Sequence, residues 1–79
     1  MFYTLDVSVQ MLEGHMGEWT QINKDLKRLV GSDPHSSGTG FGARDSQWDF
    51  TTKSEAEAAE KKLKQFFGPR LHSWVEVNH

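Results

Sequence analysis

Four carboxylates, a histidine and a tryptophan are spaced so that one surface would hold them all. Asp6, Asp45, Asp49 and Glu76 each fall on the polar phase of a segment in which polar and apolar residues alternate, and His72 and Trp74 share the phase of Glu76. Successive side chains of an extended strand project to opposite faces. These six residues therefore predict one polar face on a sheet. Carboxylates grouped in this way can ligate a hard divalent cation, move protons where burial perturbs them, or meet a basic partner.

The first two chemistries find little support in the pattern. The carboxylates are spread over three strands, with no loop of ligand spacing between them. His72 and Glu76 stand four residues apart on one strand, roughly 13 Å, too far to chelate one ion. His15 and His35 fall in loops, and His79 is terminal. No metal and no cofactor is expected. The chain has no cysteine, no serine set in a strained elbow, and an open sheet offers no pocket to shift a pKa. The reading leans away from an enzyme. Trp74 is different, because an exposed indole is a preferred anchor of interfaces. With Asp6, Asp45, Asp49, His72 and Glu76 around it, Trp74 marks the expected partner contact, with a second protein or a second copy of the chain.

Two glycine-containing stretches invite ligand readings. The run Gly38-Thr39-Gly40-Phe41-Gly42 follows a helix and enters a strand. A phosphate cradle needs the reverse, a strand leading into a helix N-terminus, so an edge strand is expected here. The loop Glu13-Gly14-His15-Met16-Gly17, between the first strand and the first helix, is the better place for a small molecule.

The elements that position these residues follow from periodicity. Tyr3, Leu5, Val7, Val9 and Met11 alternate with Thr4, Asp6, Ser8 and Gln10, which predicts a strand over 3–11. Trp19, Ile22, Leu26, Leu29 and Val30 share one set of offsets with Ala56, Ala59, Leu63, Phe66 and Phe67, and each set is followed by a glycine. That spacing is the stripe of an amphipathic helix, stopped twice in the same way. It predicts helices from Glu18 to Val30 and from Ser54 to Phe67, the second opened by a Ser54–Glu57 capping box. A short strand over 37–41 and a turn at 42–44 lead into a strand over 45–51 with Ser46, Trp48 and Phe50 inward. The last strand, 71–78, has Leu71, Val75 and Val77 inward. Leu63 is expected at the centre of the core.

The order β-α-β-β-α-β, with right-handed crossovers, predicts an α+β fold: a four-stranded antiparallel sheet with both helices on one face. It resembles the ferredoxin-like plait, which hosts many unrelated functions. Ser46-Gln47-Trp48-Asp49-Phe50, followed by an acidic, alanine-rich helix, is similar to the third strand and second helix of RNA-recognition-motif domains. Those domains stack bases on outward aromatics, whereas Trp48 and Phe50 here are inward, Asp45 and Gln47 are outward, and carboxylates on that face would repel phosphates. The turn holding Gly17 resembles that of ACT-type regulatory domains, which implies a small-molecule sensor, although their Asp-x-Pro-Gly style of turn is missing.

Size and charge bound the rest. Seventy-nine residues with 25% charged and 35% hydrophobic side chains read as a single domain over 1–79, small enough that its core must suffice without staples. A net charge of −2 argues against a general nucleic-acid binder. No stretch is apolar enough to span a bilayer, and the strand pattern starts at once, which argues against a leader and for the cytoplasm. The expectation is a non-catalytic adaptor- or inhibitor-like module acting through an acidic sheet face, with homodimerisation there as one form. The alternatives are an ACT-like sensor and a small oligomeric enzyme.

Overall fold

The computed structural model of the chain describes residues 1–40 and 42–79, without the side chains of 39 and 40. Strand β1 (Phe2–Gln10) is followed by helix α1 (Met16–Val30), strands β2 (Ser36–Gly40) and β3 (Ala43–Phe50), and helix α2 (Lys53–Phe67). A 3₁₀ turn (Gly68–Arg70) then leads into strand β4 (Leu71–Asn78). The strands form one sheet in the order β2-β3-β1-β4, with every neighbouring pair antiparallel. Among the described residues no helix is long and apolar enough to cross a membrane.

The alternation of β1 sets the layers. Leu5, Val7 and Val9 point into a core shared with Trp48 and Leu71 of the neighbouring strands. Ile22 and Leu26 of α1 and Ala59, Leu63 and Phe67 of α2 close it from the same side. Both helices thus cover one face and leave the other open. Leu63 has 0% of its surface exposed, as its place on the stripe requires. Trp48 is buried because its indole N–H donates to the Ser32 carbonyl at 3.1 Å, which satisfies its polar end. Arg44 also lies on the inward phase of β3. Its guanidinium stacks 4.9 Å over the Trp19 ring, and it donates to Asn23 Oδ1 at 2.8 Å and Ser37 Oγ at 3.0 Å. These bonds let a cation stand where α1 meets the sheet.

Several expected boundaries move, each for a local reason. Helix α1 starts at Met16, two residues before Glu18, because His15 Nδ1 accepts the Glu18 amide at 3.0 Å and caps the helix. Helix α2 is capped by Thr52 rather than Ser54. The Thr52 hydroxyl accepts the Glu55 amide, and Glu55 Oε1 accepts from the hydroxyls of Thr52 and Thr51. The cap is therefore Thr52, with Glu55 bonded back to its hydroxyl, two residues upstream of the expected Ser54–Glu57 box. Strand β2 starts at Ser36, and its expected end at Phe41 lies outside the described residues. Strand β3 starts at Ala43, ahead of the expected Asp45, and stops before Thr51. Met11 lies just past β1 yet donates its amide to the Gly42 carbonyl at 2.8 Å.

Two residues expected inward are exposed. Phe66 is 50% exposed; it packs edge-on against Phe67 and lies under the Arg28 guanidinium. Val77 is 47% exposed, at the outer end of edge strand β4, where its neighbour Tyr3 is itself only half-buried.

Candidate functional site

The open face is ruled by register into rows of paired residues. In the middle row Ser36, Gln47, Asp6 and Trp74 lie side by side from β2 to β4. The next row holds Gly38, Asp45, Ser8 and His72. On the other side Asp49, Thr4 and Glu76 are neighbours. All six residues expected on this face stand on it. Residues directly opposite one another in a sheet have Cβ atoms about 4.5–5.5 Å apart, so each row is a line of adjacent residues.

The first two rows surround a depression of about 670 Å³ on the sheet, lined by Asp6, Ser8, Ser36, Asp45, His72 and Trp74 among others. Asp6, Asp45, His72 and Trp74 are thereby brought together. Asp49 and Glu76 are not; they sit one row away, off the lining. Asp49 Oδ1 accepts from the Thr4 hydroxyl at 2.8 Å, and His35 Nε2 stands 3.4 Å from it. Glu76 Oε1 accepts the Trp74 indole N–H at 2.9 Å, which ties down a ring that is 50% exposed.

Asp6 departs from the expected solvated face. It is only 6% exposed, because it stands on central strand β1 between Gln47 and Trp74, and both are large. The Gln47 side-chain amide donates to Asp6 Oδ1. Asp6 Oδ2 is buried and has no hydrogen-bond partner among the described residues. Ser36 belongs to this site and was not placed there by the sequence, whereas Ser8 and Gln47 were expected on the face but not as part of the site. Only the cross-strand register places them beside Asp6, and no local pattern reports it.

The loop 13–17 has a different character. The Glu18 carboxylate folds back over it and accepts the amides of Leu12, Glu13 and Gly14 at 2.8–2.9 Å, with Arg70 Nη2 at 3.5 Å. The Gly14 amide does most to hold the Glu18 carboxyl below its usual range. Partial desolvation works against this shift, and the Glu13 and Leu12 amides and Arg70 support it. His15 bonds to the Glu13 carboxylate as well as capping α1. Three of the amide donors that could meet an anion here are already taken by the chain's own acid.

The charges are segregated. Lys24, Lys27 and Arg28 lie on α1, Lys53, Lys61, Lys62 and Lys64 on α2, Arg70 in the 3₁₀ turn, and Arg44 on the inward phase of β3. None of the nine lysines and arginines stands on the open face, which carries four carboxylates. Among the described residues no three histidine, aspartate or glutamate side chains converge as a metal site. Comparison with protein-family models, with curated proteins and with solved structures finds no match.

Proposed function

We propose that this chain is a small non-catalytic interaction module, a ferredoxin-like plait acting in the cytoplasm, whose acidic open face docks the basic surface of a protein partner. The observation that carries this reading is the segregation of charge: four carboxylates and a half-exposed tryptophan on one face, and every lysine and arginine off it. Such a face attracts a basic surface and repels nucleic-acid phosphates. A second copy of the chain would meet this face with the same sign of charge, so self-association through it is opposed. A small-molecule role for loop 13–17 is weakened because Glu18 already uses its amides. An enzymatic role lacks an enclosed site among the described residues.

The test is binding of a fluorescent peptide rich in lysine and arginine, beside an acidic peptide of equal length, followed by anisotropy. The basic peptide should bind, the acidic one should not, and affinity should fall about tenfold between low and high salt as the charges are screened. Asp45→Lys with Asp49→Lys should abolish the interaction. Unchanged affinity in that double variant, or equal binding of both peptides, refutes the reading.

A further inference from the structure

Within the acidic face, Asp6 is the group the fold leaves unfinished. One carboxylate oxygen is used by Gln47, and the other is buried without a partner among the described residues. A buried polar atom with no partner is costly, and a charged one more so. Its neighbour Thr4, equally buried, is fully engaged: it donates to Asp49 and accepts from the Asn78 side-chain amide at 2.6 Å. Burial on the central strand therefore does not by itself leave a group unsatisfied. Trp19 Nε1 and Ser46 Oγ are also buried without a partner among the described residues, but both are neutral; Asp6 is the one carboxylate of the three, and it lines the depression.

We propose that this depression is a seat for a guanidinium, the arginine side chain of the basic partner; this rests on the interaction-module reading above. Four features select that group. The free Asp6 oxygen calls for a donor, and Asp45, exposed at the rim, adds a second carboxylate, so the donor is a cation. Trp74 stands opposite Asp6 with its indole N–H already given to Glu76. The ring can offer an incoming group only its π surface, which favours a stacked cation. The Ser8 and Ser36 side chains on the lining supply hydroxyl acceptors for further N–H groups. A guanidinium has five donors in a plane, stacks on aromatics and is weakly hydrated, whereas an ammonium is a compact and strongly hydrated point charge. A bare metal ion would gain nothing from the indole, and among the described residues no three ligating side chains converge as a metal site.

The experiment compares an arginine peptide with a lysine peptide of identical length and charge, on the wild-type chain and on Asp6→Asn, Trp74→Ala and the Asp45→Lys/Asp49→Lys double variant. Affinity is read by anisotropy and folding by circular dichroism. The wild type should prefer arginine by about tenfold. Asp6→Asn should remove that preference while remaining folded, and Trp74→Ala should reduce it. The double variant should lose both peptides. Equal affinity for the two peptides in the wild type, both lost in the double variant, overturns the guanidinium seat and leaves the acidic-face reading standing. An arginine preference that survives Asp6→Asn also overturns the seat. Failure of the wild type to bind either peptide overturns both readings together.

Discussion

Replacing Asp6 by asparagine should make the protein more stable, and the size of the effect can be worked from its surroundings. Asp6 is 6% exposed, one oxygen accepts from Gln47, and the other has no partner among the described residues. A buried group left unsatisfied costs about 1–3 kcal/mol, and more when charged. Asparagine has nearly the same shape and keeps an oxygen for Gln47, but it places an amide where the free oxygen was. It therefore recovers the part of the cost that depends on charge and leaves the part that comes from burying a polar atom. The expected gain is about 1 kcal/mol, or roughly 4–8 °C in melting temperature for a domain of this size. Like-charge repulsion from Asp45, Asp49 and Glu76 contributes to the same sign, but salt screens exposed charges far more than buried ones. Thermal melts followed by circular dichroism at low and high salt separate the two: the gain should shrink with salt and not vanish. A melting temperature lowered by roughly 4 °C or more would refute the reasoning, because it would mean that Asp6 Oδ2 is satisfied in solution. Function and stability should thus part at this residue, as they do where a fold holds a group ready for a partner.

Two further outcomes follow from the core and the loop. Leu63 is fully buried between α2 and the sheet, so Leu63→Ala should cost about 2–5 kcal/mol; a melt within roughly 3 °C of wild type would show that α2 does not pack in this register. Glu18→Gln should destabilise the chain at neutral pH, since an amide oxygen replaces a carboxylate that accepts three backbone amides and faces Arg70. The Glu18 pKa is lowered in the folded state, so its contribution is present above the unfolded value of 4.5 and is lost as pH falls through the lower folded one. The difference between wild type and variant melts should therefore close below that value, and a difference still undiminished at about pH 3 would contradict this origin.

How much of this was legible in the sequence depends on the range of the interaction. The alternation of Tyr3 to Met11 and the stripe through Ala56, Ala59, Leu63 and Phe67 are local periodicities. They fix which face is buried without knowledge of any neighbour. The order of elements then constrains the sheet. Helix starts were less legible, because caps depend on chemistry that several residues can supply. His15 caps α1 with a ring nitrogen, outside the usual set of short polar caps. Thr52 and Ser54 both offer a hydroxyl three residues before a glutamate, and only the backbone decides that Thr52 is used. Phe66 fits the helical stripe but sits at its margin, where Arg28 rather than the sheet covers it.

The site itself was legible as a face and not as a constellation. Alternation puts Thr4 and Asp6 on the outward phase of β1, where a solvated surface is the natural expectation. Yet both are buried, since β1 is the central strand and large side chains lean over it from β3 and β4. From there the two residues diverge, and that divergence is what carries functional weight. Thr4 is a neutral hydroxyl with one donor and two acceptor positions, and Asn78 and Asp49 use it from either side. Asp6 is an acceptor-only carboxylate flanked by Gln47, which gives it one hydrogen bond, and by Trp74, whose only donor goes to Glu76. Both residues were brought under cover by the same strand position, so position cannot account for the deficit at Asp6. Trp19 Nε1 and Ser46 Oγ also lack a partner among the described residues, but they are neutral; Asp6 is the buried acid, where the cost is greatest, and the group that would meet its requirement is a cation arriving from outside the chain.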